Sequence, residues 1–246
     1  MDLLEVGDFR VFAGEDELVK GASLRVKPGE IHVIMGKNGS GKSTLLNALA
    51  GNPKYRVEGR AKFCGKDLLA LPPHERAKAG VFLAFQSPNE VSGVSLSSFM
   101  RRAYAARFGR EISVAEFGKL LGEKMDLLGM ERSFAERSVN EGFSGGEKKR
   151  SEVLQMALLQ PKLAMLDELD SGLDVDALGK VAAMLDKVRG RGSGMLIVTH
   201  YTRILRNLTP DAVHVMKHGS IIASGGPKLA HKLEEEGYEW IRDGGF

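Results

Sequence analysis

Eight residues constrain this chain more than any others: Gly36-Lys37-Asn38-Gly39-Ser40-Gly41-Lys42-Ser43, a match to G-x-x-x-x-G-K-[ST]. Ahead of them, Ile31 to Met35 is apolar except for His32, as in a strand buried on both faces of a parallel sheet. Behind them, Ser43 to Ala50 reads as a helix stopped at Gly51. A strand that turns through glycines into a helix leaves backbone N–H groups pointing into the turn, beside the positive end of the helix. Together these favour an anion of phosphate size. In that setting Lys42 reaches the β- and γ-phosphates of a nucleotide, and the Ser43 hydroxyl ligates Mg²⁺. Gly36, Lys37, Asn38, Gly39, Ser40, Gly41, Lys42, Ser43 and Thr44 are the expected nucleotide cradle. The loop alone does not fix the reaction, since kinases, GTPases, motors and transport ATPases all use one.

Leu163-Ala164-Met165-Leu166-Asp167-Glu168 is an apolar strand ending in two acids. Side chains alternate along a strand, so the two carboxylates diverge and can take different tasks. Asp167 is the expected partner of Mg²⁺, through a coordinating water, and Glu168 is expected to polarise the attacking water. Gln86 follows another apolar strand, Val81 to Phe85, and offers a carbonyl oxygen to Mg²⁺ or to water. His200 follows Met195 to Thr199 and can hydrogen-bond a γ-phosphate. Neither residue would be singled out alone.

Phe143-Ser144-Gly145-Gly146-Glu147 opens a further helix. Ser144 can cap it, and the two glycines leave its first N–H groups bare, which makes a second anion site. One nucleotide does not need two such cradles in one chain. The economical explanation is that Ser144, Gly145, Gly146 and Glu147 meet the γ-phosphate of a nucleotide held by another copy, in a head-to-tail dimer with two-fold symmetry.

Composition narrows the partners. The formal net charge of +3 is small and dispersed, so nucleic acid is not expected. The run Lys148-Lys149-Arg150 sits against Glu147 and Glu152 and reads as a solvated helix face. The single cysteine, Cys64, excludes an internal disulfide and the several thiolates of a zinc or iron–sulfur site. No apolar run approaches the roughly 18 residues of a membrane helix, and no signal peptide is evident. A cytoplasmic protein without direct membrane insertion is expected.

The rest of the chain reads as α/β with an insertion. Leu3 to Val6 and Leu24 to Val26 are short strands, with a turn at Lys27-Pro28-Gly29-Glu30. Ser95 can cap a helix with Leu96, Phe99, Met100, Ala103 and Tyr104 on one face, ending at Gly109. Ser113 and Glu116 make a capping box ahead of Phe117, Leu120, Leu121 and Leu128. Glu147 to Leu159, Asp176 to Val188 and Leu229 to Ile241 read as helices.

In order, the phosphate loop, Gln86, Ser144 to Glu147, Asp167-Glu168, Ser171-Gly172-Leu173-Asp174 and His200 resemble the Walker A, Q-loop, signature, Walker B, D-loop and H-loop of ATP-binding-cassette ATPases. The resemblance spans most of the chain. It implies ATP and Mg²⁺ as cofactors, ATP hydrolysis, and a P-loop fold of the ABC type. That fold has a mainly parallel core sheet flanked by helices, a small antiparallel β subdomain and an inserted helical subdomain. The expected single domain, 1–246, divides into a catalytic lobe of 1–86 and 143–246 and a helical subdomain of 87–142. Glu168, His200 and Lys42 are the expected catalytic residues. Ser43, Gln86 and Asp167 are the expected metal group.

Longer stretches are similar to the SufC branch of the family, which serves SUF iron–sulfur cluster assembly. They are Asn140 to Arg150, Asp170 to Leu178, Phe85-Gln86-Ser87-Pro88, Thr199-His200-Tyr201 and Gly237-Tyr238-Glu239-Trp240. That resemblance implies soluble SufB/SufD-like scaffold partners, with the cluster built on the partner. Lys37 stands where the family usually has proline, and Leu169 where proline or threonine is common. For an adenine platform, Phe12 and Ala13 are the two positions. The ATPase subunit of a membrane transporter shares every catalytic residue and stands as the alternative. A chromosome-type clamp would need sustained heptads, which are missing. A small-molecule kinase would leave Ser144 to Glu147 unexplained.

Overall fold

Three strands carry the centre of the molecule, and each is buried along its whole length, because a parallel strand covered on both faces cannot spare a polar side. The structure is a computed structural model, and it describes residues 1–199 and 203–241. His200 lies outside the described residues.

The chain opens with a hairpin, β1 (Leu4–Ala13) and β2 (Asp16–Val26), and enters the core as β3 (Ile31–Met35), followed by the phosphate loop and α1 (Lys42–Ala50). Next come β4 (Arg56–Phe63), the two-residue β5 (Lys66–Asp67), α2 (Pro73–Ala79) and β6 (Val81–Ala84). β7 (Val91–Ser95), α3 (Leu96–Phe108), α4 (Val114–Leu128) and β8 (Ser138–Val139) follow. The chain then returns through α5 (Gly145–Leu159), β9 (Leu163–Asp167), α6 (Val175–Arg189) and β10 (Gly194–Val198). It closes with β11 (Ala212–Lys217), β12 (Ser220–Gly225) and α7 (Pro227–Glu236).

The core sheet runs β12-β11-β3-β10-β9-β6, parallel throughout except for β12. A second sheet, β2-β1-β4-β5, is antiparallel. Period-two alternation divides the interior between the two faces of the core sheet. Val33, Leu166 and Ile197 pack on one side with α5 and α6. Ile34, Met165 and Leu196 pack on the other, with α1 and the antiparallel sheet. Arg76 on α2 fixes the far end of α1: its guanidinium donates to the carbonyls of Ala48 and Leu49 at 3.0 and 2.9 Å, in the last turn, where carbonyls run out of partners within the helix.

Several expectations change in detail. The two short N-terminal strands are the open end of one long hairpin, where Leu4 pairs with Val26. Its middle escapes the alternation because bulges break the register between Val6 and Phe12. On α3, Leu96, Met100 and Tyr104 are buried, but Phe99 falls off that stripe and is 37% exposed. The last helix begins at Pro227 and stops at Glu236, so Tyr238 to Ile241 run on without helix. The capping box at Ser113 is present in both directions, with N···O distances of 3.2 Å.

A buried polar chain crosses β3, β11 and β12. His32 Nε2 meets Glu30 at 3.1 Å, His32 Nδ1 meets His214 Nε2 at 3.0 Å, and His214 Nδ1 meets the Ser224 hydroxyl at 2.7 Å. Burial, with the neighbouring His32 adding to it, pushes the His214 pKa from 6.5 to about 4. The unfolded chain therefore binds the proton first. The stability held by neutral His214 is complete above pH 6.5 and is lost as pH falls towards 4. The loss amounts to at most about 3 kcal/mol. Glu152, raised to about 7 by burial, acts in the opposite direction over an overlapping range, so a comparison with His214→Gln isolates the effect. Urea unfolding of parent and variant at pH 7 and pH 4.5 should show the parent losing more stability than the variant.

Candidate active site

The phosphate loop is shaped by contacts that a side chain would block. At Gly36 (φ 156°) a Cβ would overlap the carbonyl oxygen of Met216 on β11. Gly41, left-handed at φ 101°, caps α1 where a Cβ would lie 2.9 Å from the carbonyl oxygen of Leu18 on β2. The loop is thus pressed between the two sheets. Lys42 is 4% exposed, and its ammonium donates to the carbonyls of Gly36 (2.8 Å) and Lys37 (3.0 Å). Burial lowers its pKa, and the nearby Glu168 and Asp167 oppose that shift.

Ser43 donates its hydroxyl to Asp167 at 3.0 Å, which joins the loop to the end of β9. Asp167 is 2% exposed. Burial raises its pKa, against the Ser43 hydrogen bond, and the Glu168 charge adds to the rise. Glu168, one residue on, leaves the strand in the left-handed region (φ 48°), a conformation that costs a non-glycine residue roughly 1–2 kcal/mol. Its N–H donates to Val198 at 2.9 Å, and Ser171 Oγ donates to its carbonyl at 2.8 Å. Its carboxylate accepts from Gln86 Nε2 at 2.8 Å. The two acids diverge, one towards the loop and one towards Gln86, because Glu168 leaves the strand in the left-handed region and not because of strand alternation.

Asn38 to Thr44, Gln86, Glu168 and Ser171 line one open cleft of about 550 Å³. Ser144 to Glu147 lie elsewhere, at the start of α5. The Ser144 hydroxyl accepts the Glu147 N–H at 3.3 Å, and the Glu147 carboxylate accepts the Ser144 N–H at 2.7 Å and is held below its usual pKa by that bond. Glu147 is thus committed to a capping box, and Gly145, with open space around it, leaves that helix end accessible. At the adenine positions, Arg56 covers the Phe12 ring at 4.0 Å.

One reading is corrected. Lys149 and Glu152 are not part of a solvated face: each is 4% exposed. Lys149 donates to the carbonyls of Gln86 (2.8 Å), Phe85 (3.3 Å) and Asp167 (3.4 Å), and Glu152 accepts the Phe85 N–H at 3.1 Å. The signal was spacing, since 149, 152, 153 and 156 form one helical stripe and Val153 and Met156 are apolar. Asp170 was also passed over. Its carboxylate accepts from Thr199 Oγ1 at 2.8 Å, which ties the segment after Glu168 to the end of β10.

The sequence pattern of the ABC transporter family matches residues 19–171, more than half of the chain. This chain belongs to that ABC family. It is therefore an ATP-binding ATPase of the cassette type. It is 49% identical over 242 residues to Vegetative protein 296 of Bacillus subtilis, covering 97% of this chain and 93% of that one. It is 50% identical over 244 residues to the probable ATP-dependent transporter ycf16 of Pyropia yezoensis, covering 97% of each. Among solved structures, a dimeric post-hydrolysis state of the cassette MJ0796 bound to ADP and Pi overlays with a TM-score of 0.80. The identity there is 23%, over 91% of this chain and 98% of that one, a likeness of fold. The cassette cbiO1 of Clostridium perfringens overlays at 0.72 with 26% identity, over 95% of this chain and 92% of that one. No helix among the described residues is long and apolar enough to cross a membrane.

The glycines of this ABC loop give a direct test. Gly36→Ala forces a methyl group onto a backbone oxygen that cannot swing away, whereas Gly39 (φ 77°) has nothing within 4 Å. The rise in melting temperature on adding ATP should vanish in Gly36→Ala. In Gly39→Ala it should survive, with only the left-handed cost of about 1 kcal/mol.

Proposed function

We propose that this cassette is the SufC-like ATPase of an iron–sulfur cluster assembly system: it dimerises on ATP and moves a soluble SufB/SufD-like scaffold in the cytosol. The observation that carries the reading is where the residues of the SufC-like stretches lie. Lys149 grips the backbone at Gln86 and Asp167, and Asp170 holds Thr199. From Gly237-Tyr238-Glu239-Trp240, Tyr238 sets its hydroxyl against the Gly36 N–H, and Glu239 pairs with Lys37 at 3.0 Å. Four residues of these stretches, Lys149, Asp170, Tyr238 and Glu239, thus contact segments that carry the ATP site. The transporter-subunit reading keeps one observation in its favour: relatives near 50% identity are called probable ATP-dependent transporters.

The residues fit Mg²⁺. The Ser43 hydroxyl lies 3.0 Å from the Asp167 carboxylate and shares its cleft with Gln86, so Ser43 and Gln86 would offer oxygen donors to this hard cation and Asp167 would hold its water. Bound there, Mg²⁺ neutralises charge on the β- and γ-phosphates. The chain supplies the rest. Lys42 exchanges its two loop carbonyls for phosphate oxygens, and the loop N–H groups, with Asn38 to Thr44 around them, hold the β-phosphate. Glu168, steadied by Gln86, orients a water on the γ-phosphorus and takes its proton as the bond to the β–γ bridging oxygen breaks, giving ADP and phosphate. His200 is proposed to hydrogen-bond the γ-phosphate. Ser144, Gly145 and Gly146 of a second copy close the site from the other side, so ATP favours the closed dimer and hydrolysis releases it.

Glu168→Gln should retain ATP binding and accumulate as a dimer by light scattering, with hydrolysis at least about 100-fold slower. Turnover near the parental rate would remove Glu168 from this role. A detergent-free pull-down from the host lysate, read by mass spectrometry, should recover soluble SufB-like or SufD-like proteins. Recovery only with a multi-span membrane protein would move the chain to transport and leave the ATPase intact.

A further inference from the structure

Phe85 and Gln86 stand just beyond the sheet. The β6–β9 ladder ends where Ala84 pairs with Leu166, and the Phe85 ring is 48% exposed. Neither the strand ladder nor the core fixes this backbone. Two side chains of α5 do. Glu152 Oε2 accepts the Phe85 N–H at 3.1 Å, and its other oxygen accepts Gln155 Nε2 at 3.1 Å. One turn earlier, Lys149 donates to the Phe85 and Gln86 carbonyls. Phe85 is therefore gripped on both sides, its N–H by Glu152 and its carbonyl by Lys149, which also holds the Gln86 carbonyl, and the Gln86 side chain passes that placement to the Glu168 carboxylate at 2.8 Å.

Stability alone gives weak reason for this arrangement. Apolar side chains of similar volume often fill such a site at no loss, because two charges must otherwise be taken out of water. An acid and a base on the buried stripe of a helix, aimed at one short stretch of backbone beyond the strand ladder, suit a positioning task better.

We propose that Glu152 is a positioning residue for ATP hydrolysis: it holds the Phe85 N–H, one residue before Gln86, so that Gln86 meets Glu168 in the orientation turnover requires. Glu152 touches no reacting atom, and its effect passes through backbone and Gln86. It stands apart from the phosphate loop, so it governs the hydrolytic step and not ATP binding.

The test uses the purified full chain and three variants: Glu152→Gln, Glu152→Leu and the double change Lys149→Met with Glu152→Leu. Each is assayed for kcat and KM of phosphate release from ATP, for the Kd of a fluorescent ATP analogue, and for melting temperature. Glu152→Gln keeps an oxygen for the Phe85 N–H and should stay within threefold of the parent in kcat. Glu152→Leu should lose tenfold or more in kcat, with KM and Kd within twofold. The double variant leaves no unpaired charge, so it should melt no lower than Glu152→Leu and still show the loss in kcat. If Glu152→Leu does not fold, the double variant decides. A folded double variant with kcat within twofold of the parent overturns the proposal. So does a loss of kcat matched by an equal loss of ATP affinity. The inference rests on the roles given to Gln86 and Glu168, which Glu168→Gln tests separately; it does not depend on which partner the ATPase serves.

Discussion

The parallel register of four core strands is the constraint on which the rest of the site depends. Ile34 lies level with Val198, Val198 with Asp167, and Ala84 with Leu166. Strands that run in one direction end on one edge, so the phosphate loop, Asp167 with Glu168, Thr199 and Gln86 all leave the sheet at the same height. In open α/β sheets ligands gather outside the carboxyl ends of the strands for this reason. Burial on both faces makes the strands continuous apolar runs, and those runs fix the register. A slip of one residue would send Asp167 away from Ser43 and into the packed interior.

That geometry explains which parts of the molecule were legible in the sequence. The loop glycines, Lys42, Ser43 and the acidic pair are local patterns: each needs only its own strand or helix to make sense. The N-terminal hairpin was not legible past its open end, because its bulges destroy alternation and its partner β4 lies some thirty residues away in a segment with little apolar character. Lys149 and Glu152 were misread for a related reason. Charged residues on a helix are usually solvated, and what buries these two is the backbone of residues 85 and 86, far off in sequence. Tyr238 was quoted only for resemblance. Its place against Gly36 comes from the chain beyond α7 passing behind the loop, which no local pattern carries.

The helix α5 draws these strands of argument together. Its N-terminus is the capped, glycine-opened end that the proposed dimer turns towards a second nucleotide, and its body holds the Phe85 N–H and the Phe85 and Gln86 carbonyls in its own subunit. Ser144 and Glu152 are eight residues apart, about 12 Å along a helix axis. Over two turns a helix braced by packed neighbours moves as one body. Displacement of its N-terminus on closing must therefore be felt at the Phe85 peptide, unless Glu152 and Lys149 let go.

Charge burial at this edge is mutual. Lys42 and Lys149 have their pKa values lowered by desolvation, and Asp167 and Glu152 have theirs raised by it. None is comfortable alone, and each is partly compensated by the others: Asp167 favours the charged form of both lysines, and Lys149 favours that of both acids. Such groups do not contribute independently. Removing one leaves its partners buried and under-compensated, so single substitutions overstate what any one residue does, whereas paired substitutions that remove a cation and an anion together reveal the geometric part. The loop cation Lys42 and the helix cation Lys149 both favour the charged form of the same carboxylate, Asp167. The charged form of Asp167 therefore depends on one lysine from the loop and one from α5, and removing either lysine alone leaves it less compensated.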